Sequence, residues 1–365
     1  MIVPRLKQRR KTPGKVVPLL NVSRPPDAPL KETHKWADWV ELRACVAPDG
    51  SVTVGDLAAW LRVDESEAPD ASAGDSPEET AIAQEEDNAD AYLARDASST
   101  DETDDGQRAA GRVDNRERMA EDVFRLLRHR QSLFGENYPF ELTGNEDRLD
   151  CLATKSPGRE AYMLLLLCAS GRYVTNHGLL AKDFERICVP VLQSIFPAAD
   201  VQVFGTAGSS SGDYAGSFVT RLNKLAENLG EMLQATADDV DDDENGDRGL
   251  DVVAIQEMGD NLPGKIVVFA QAACTDDWVS KQDSPSHEAW DQLVLPLVPT
   301  ITACCIPHSY RGSDGGWRSR TKIHRRLLLD RSRILHLLGD DVADHLANYV
   351  RNRAVITEVL AFEEV

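Results

Sequence analysis

Asp251 and Gln271 stand inside two nearly unbroken apolar runs, "GLDVVAI" and "KIVVFAQAAC", where a buried strand would otherwise carry valine or isoleucine. An ionised carboxylate taken out of water without a partner is costly, or its pKa shifts until it protonates. Such a group is normally paired, hydrogen-bonded or bound to a metal. A carboxylate in one strand and an amide in its neighbour can converge on a divalent cation, which takes about six hard oxygen ligands and often keeps several waters. Asp251 and Gln271 supply two such oxygens, and the carbonyl of Ala272 can add another. Magnesium (or manganese) held this way acidifies a bound water and neutralises charge building on a phosphoryl group during in-line attack. The bland alternatives are a carboxylate that caps backbone N–H groups and a satisfied core amide.

The surrounding elements must bring these side chains together. Residues 178–197 place Leu180, Phe184, Ile187, Val191 and Ile195 on one helical stripe, and 217–234 do the same with Phe218, Leu222, Leu225, Leu229 and Leu233. A short strand candidate, 200–205, lies between them, followed by a Gly/Ser loop over 205–216. Beyond the two runs, Glu288 to Leu295 suits a helix and "PTITACCIP", 299–307, a third buried strand. The order helix, strand, strand, helix, strand predicts an α/β core, a central mixed sheet flanked by helices.

At these residues the chain resembles the PD-(D/E)xK, or restriction endonuclease-like, nuclease superfamily, particularly its Mrr-like members. The pattern joins a helix carrying "FE", a strand of the form D-x-G-[ILV]-D-[ILV]-[ILV], and a second strand ending in E-x-K or Q-x-K. Here "DFE" is 183–185, "DRGLDVV" is 247–253 and "VVFAQAA" is 267–273. The resemblance covers about 100 residues and implies a restriction endonuclease-like core and a Mg²⁺- or Mn²⁺-dependent endodeoxyribonuclease. By analogy it extends to a bacterial restriction or antiphage defence effector. Asp251 and Gln271 would hold the metal and Glu185 would order it through water, with Glu227 the alternative helical acid. The family's lysine position is Ala273, so Lys281 is the expected replacement that activates the attacking water. Lys265 sits at the far end of its strand, about 20 Å away. Loss of that strand lysine also fits an inactive nuclease fold that serves as a DNA-binding or scaffold subunit.

A net charge of −21 argues against a phosphate-bearing partner until its distribution is read. Residues 61–106 carry sixteen acids against Arg62 and Arg95, and 238–248 seven acids against Arg248, so the remainder is close to neutral. The stretch 310–333 holds eight Lys or Arg with Tyr310 and Trp317 interleaved, a composition that suits backbone neutralisation and base stacking. Arg318, Arg320, Lys322, Arg325 and Arg326 are the expected DNA contacts. A solvated face paired with the acidic segments is the alternative, and masking by 238–247 would make the acidic loop autoinhibitory.

Six bands follow along the chain: a basic disordered arm, 1–34; a small helical unit, 35–62, with Trp36, Trp39, Leu42, Leu57 and Trp60 as a mini-core; an acidic disordered linker, 63–112; a helical region, 113–175; the nuclease-like core, 176–310, with an acidic loop at 235–247; and a basic C-terminal helical region, 311–365. The helical half would dock a helicase, ATPase or sensor protein. The longest purely apolar stretch, 162–169, is too short to span a bilayer, and the N-terminus has no apolar signal core, which together predict a cytoplasmic protein without a membrane partner. The seven cysteines show no metal or disulfide spacing, and no P-loop, HExxH or G-x-S-x-G motif is present. His308, after the third strand, reads as a structural histidine that could flank the cleft.

Overall fold

The computed structural model describes residues 20–29, 32–63, 104–152, 156–175, 177–205, 213–235, 240, 246–351 and 356. Residues 1–19 of the basic arm, 64–103 of the acidic linker, most of the 205–216 loop and most of the acidic loop lie outside this set.

The elements are α1 (Thr33–Val46), β1 (Ser51–Thr53), α2 (Val54–Val63), α3 (Asp104–Phe134), β2 (Phe140–Thr143), β3 (Arg148–Cys151), α4 (Pro157–Ala169), α5 (His177–Ile195), β4 (Ala199–Val203), α6 (Phe218–Leu229), β5 (Val252–Gln256), β6 (Val267–Ala272), α7 (Trp278–Lys281), α8 (His287–Trp290), β7 (Ile301–Cys305), β8 (Leu327–Leu329), α9 (Arg331–Leu338) and α10 (Val342–Tyr349). The protein is mixed α/β. Its main sheet has five strands in the order β4-β5-β6-β7-β8. The first three strands run antiparallel, while β7 and β8 join parallel to β6. Sheet faces follow strict alternation. Val252, Ala254, Val268, Ala270, Ala303 and Cys305 pack toward α5 and the other large helices, whereas Val253, Ile255, Val267 and Phe269 pack toward α6 and Trp290.

The strongest periodicities emerge as expected. Leu180, Phe184, Ile187 and Val191 are buried along α5, and Phe218, Leu222, Leu225 and Leu229 along α6, which stops where Gly230 turns left-handed at φ 72°. Leu233 falls beyond that end, in an isolated bridge with Val294. The helix expected at 288–295 is shorter, and α7 precedes it.

Four boundaries move. The helix α3 begins at Asp104, inside the expected linker, whose nine residues from 104 to 112 contain no Pro to stop it. The 113–175 band holds the β2–β3 hairpin besides its helices, and β3 pairs with β1 of the 35–62 unit, so those two bands share a three-stranded sheet. Residues 20–29 are not part of a free arm: Leu20 pairs with Val174, and Val22 is buried. The C-terminal band opens with turns and β8 before its helices, since Gly312, Gly315 and Gly316 interrupt any helical run.

One core then runs from the N-terminal helices through the sheet to α10. Trp39 stacks edge-on against Trp60 at 5.0 Å, but its helix also covers α3 and α4, so the mini-core is a corner of something larger. At its centre lies a closed charge cluster. Arg130 Nη1 reaches Asp38 Oδ1 at 2.7 Å and Glu41 Oε1 at 2.8 Å, while Arg331 Nη2 reaches Asp38 Oδ2 at 3.1 Å. Tyr138 donates its hydroxyl to Glu41 Oε1 at 2.8 Å, and the Tyr162 hydroxyl lies 3.0 Å from both Glu41 oxygens. Among the described residues no helix is long and apolar enough to cross a membrane.

Candidate functional site

The β5–β6 register pairs Val252 with Ala270, and continuing it by one residue sets Asp251 opposite Gln271. Cross-strand partners point to the same face, so the two polar side chains meet. Asp251 Oδ2 accepts a hydrogen bond from Gln271 Nε2 and another from the Ala272 N–H at 2.7 Å. The main chain of Asp251 is fixed as well: its N–H donates to Ala270 O at 3.0 Å, and its carbonyl accepts from Phe204 and Gly205 at 2.8 and 3.0 Å. Asp251 therefore ties β4, β5 and β6 together at one end of the sheet.

Glu185 reaches the same end from α5. A Cβ placed on Gly205 would lie 2.9 Å from Asp251 Oδ1 and 3.4 Å from Glu185 Oε2, so the two carboxylates flank a space that only glycine leaves open. Gly249 does the same on the other side. At φ 78° its Cβ would meet Gln271 Oε1 at 2.7 Å and Ser284 Cβ at 2.3 Å. The turn that carries it is held by Asp247, whose Oδ1 accepts the Gly249 N–H at 2.9 Å. Arg221, fully buried on α6, donates to Phe204 O at 2.6 Å and also to Gly246 O, clamping the end of β4 to the entry of β5.

Electrostatics set this cluster apart. Burial, then the neighbouring charges of Glu185 and Asp247, push the Asp251 carboxyl well above its ordinary range, against the Ala272 N–H and the positive charge of Lys281. Lys281, half exposed at the end of α7, bonds Thr275 Oγ1 at 2.8 Å and lies 3.5 Å from Asp277. The strand position that carries lysine in the resembled family is Ala273, buried with Trp278, Cys304, Ile306, Tyr310 and Leu328 in an apolar cluster where an ammonium would be desolvated. Lys265 stays at the opposite strand end and donates to Asn228 O at 3.0 Å. Glu227 is exposed on α6, where it pairs with Lys224 at 3.0 Å, so it does not join Asp251.

The basic stretch behaves in two halves. Tyr310 is 3% exposed and packs edge-on against Trp278 at 4.9 Å, so it offers no face to a base. Trp317 has Arg311 over its ring at 4.1 Å and Arg333 at 4.8 Å, which correct the expectation of free aromatic platforms. Arg318 donates to Thr33 Oγ1 at 3.0 Å and Arg326 pairs with Asp283 at 3.0 Å, both half-buried. Arg320, Lys322 and Arg325 are exposed. Their loop is pinned by buried Gln282, which donates to Lys322 O at 2.9 Å and accepts from the His324 N–H at 3.0 Å. Three exposed cations thus lie on a loop tied through Gln282 to the segment that carries Lys281 and Ser284.

His308 lies on a cavity of about 210 Å³ beyond β6 and β7, with Tyr173, Lys35, Asp276 and Cys274; neither Asp251 nor Gln271 lines it. Burial holds the His308 imidazole below its ordinary pKa and so neutral. Asp247 was within the quoted motif, but Gly205, Ser284, Arg221 and Gln282 carry no sequence signal, because their roles depend on distant chain segments. Compared with protein-family models, curated proteins and solved structures, the chain matches none.

The donor set bears on the cation. Asp251, Glu185, Asp247 and the Gln271 amide are hard oxygen ligands of the kind Mg²⁺ or Mn²⁺ takes. Among the described residues no three His, Cys, Asp or Glu side chains gather closely enough to enclose a metal. A cation here would rest on Asp251, the amide and backbone, with the rest of its shell from water.

Proposed function

We propose that this chain is a metal-dependent nuclease of the PD-(D/E)xK type that cleaves DNA phosphodiester bonds. The observation that carries the reading is the meeting of Asp251 and Gln271 across β5 and β6, with Glu185 approaching the same gap above Gly205. An antiparallel meander, β4 to β6, followed by strands parallel to β6, supports a restriction endonuclease-like core.

Bound Mg²⁺ or Mn²⁺ would acidify a water and offset charge on the phosphoryl oxygens. The chain's own groups do the rest. Asp251, whose carboxyl is raised by burial and by the nearby acids, would hold the cation through its carboxylate oxygens. Gln271 points its Nε2 at Asp251, and its amide oxygen Oε1 would be the atom that serves a cation. Lys281, by leaving Thr275 and Asp277, orients the attacking water, while Arg320, Lys322 and Arg325 neutralise the substrate backbone.

A second reading is a DNA-binding or scaffold subunit without catalysis, favoured by buried Ala273 at the lysine position. One experiment separates them. Supercoiled plasmid is incubated with purified protein and Mg²⁺ or Mn²⁺, alongside Asp251→Asn. Nicking by the wild type that falls at least ~10³-fold in the variant supports the nuclease. Equal cutting by both overturns it, and DNA retention without cutting by either selects the scaffold.

A further inference from the structure

Seven cysteines are present, and six of those side chains are buried. The exception is Cys151, at the end of β3, which is partly accessible. Its Sγ lies 3.1 Å from Cys45 Sγ, on the last turn of α1. Two thiols in ordinary van der Waals contact stand further apart than this, and a disulfide needs about 2.05 Å between sulfurs, so about 1 Å of closure joins them. The backbone around the pair is already fixed. Cys151 N–H donates to Gly50 O at 2.8 Å, Ala47 N–H to Arg43 O at 3.0 Å, and β1 pairs Ser51 with Asp150. The sulfurs are therefore held together by a hairpin and a helix end that do not need to move far.

We infer that Cys45 and Cys151 form a reversible oxidative modification site, closing to an intramolecular disulfide when the chain meets a peroxide. Cys151, the accessible member, reacts first: its thiolate sulfur bonds a peroxide oxygen as the O–O bond breaks, giving a sulfenic acid and hydroxide, which takes up the proton that the Cys151 thiol released and leaves as water. The Cys45 thiol then attacks the Cys151 sulfur; the S–S bond forms, the S–O bond breaks, and its oxygen leaves as a second water with the Cys45 proton. Two thiols are oxidised and one peroxide is reduced. A dithiol reductant reverses the step by exchange. Buried Cys188, Cys274 and Cys304 do not compete, because burial pushes their thiols well above the ordinary range and so withholds the reactive thiolate.

Closure ties α1 to β3 across 106 positions of sequence. Glu41, one turn before Cys45, anchors the buried charge cluster, so the crosslink secures the helix on which that cluster depends. The restraint falls mainly on the unfolded chain and stabilises the fold.

The full-length protein is treated with hydrogen peroxide, quenched and alkylated under denaturing conditions, then digested without reductant. The expected result is a Cys45–Cys151 linked peptide, a fall of two in titratable thiols, and a Tm higher by at least about 5 °C that dithiothreitol reverses. Cys45→Ser is expected to give a Cys151 sulfenic acid trapped by dimedone. Cys151→Ser, altered at the accessible position, serves as a second variant and should keep all its thiols under the same dose. Retention of all seven thiols in the wild type, or linkage of any other pair, overturns the inference. None of these readouts involves DNA, so the outcome stands apart from the nuclease reading.

Discussion

Beneath α1, two carboxylates, Asp38 and Glu41, face two guanidiniums, Arg130 and Arg331; at the head of β5, Asp251 has the acids Glu185 and Asp247 nearby and feels the positive charge of Lys281, which bonds Thr275 and lies close to Asp277. Asp38 and Asp251 are both buried, and each carries a desolvation cost. They answer it in opposite ways. Burial would raise the Asp38 carboxyl, but Arg331 and then Arg130 more than offset this and bring it to about 2. At Asp251 burial meets further negative charge, and the carboxyl moves up. Opposite charge around Asp38 lowers its carboxyl, whereas neighbouring acid around Asp251 adds to the rise that burial causes.

The first cluster is broken by Arg331→Met, which leaves Asp38 and Glu41 with one guanidinium between them. Unfolding by urea should show a loss of about 3–5 kcal/mol, the usual result of stranding a buried charge. A loss below about 1 kcal/mol would mean the cluster is not the keystone it looks.

The second cluster is sharpened at Lys281. Lys281→Met is expected to cut Mg²⁺-dependent nicking by about 10²-fold, with little effect on Tm because the side chain is half exposed. Unchanged nicking would remove Lys281 from the proposed mechanism.

The two clusters also differ in the sign of their pH dependence. Asp38, lowered in the fold, adds stability above the ordinary carboxylate pKa of ~3.9 that is lost as pH falls from there toward 2. Asp251, raised in the fold, adds stability only while protonated, and this is lost as pH climbs through its folded pKa. Asp251→Asn should therefore raise Tm at neutral pH in the absence of divalent cations. The gain should fade as pH drops below the ordinary carboxylate pKa of ~3.9, where the wild-type group becomes protonated in both states. A drop in Tm at neutral pH would show that the carboxylate is a structural cap, satisfied by Gln271 and Ala272.

What could be read from the chain, and what could not, follows the same division. Asp251 and Gln271 were visible because a polar residue in an apolar run breaks a local pattern, and α5 and α6 because their stripes repeat over several turns. The strands β2 and β3 were not, since "FELT" and "RLDC" offer four residues each, with only alternate positions buried in one of them. Arg130 and Arg331 gave no signal either. Their partners lie 89 and 293 positions away, and an arginine in a helix reads as a surface residue until its burial is known. Tyr310 misled for the converse reason: an aromatic among basic residues looks like a stacking platform, but this ring is buried in edge contacts with Trp278 and His34.

The central claim is that Asp251 and Gln271 serve a cation. Calorimetric titration of Mg²⁺ or Mn²⁺ into the DNA-free protein at neutral pH, repeated in buffers of different ionisation heat, tests it most directly. Binding of a cation with release of a proton is expected in the wild type, because Asp251 must ionise to receive it, and neither should occur in Asp251→Asn. Equal binding by both proteins, or none by the wild type, would contradict it.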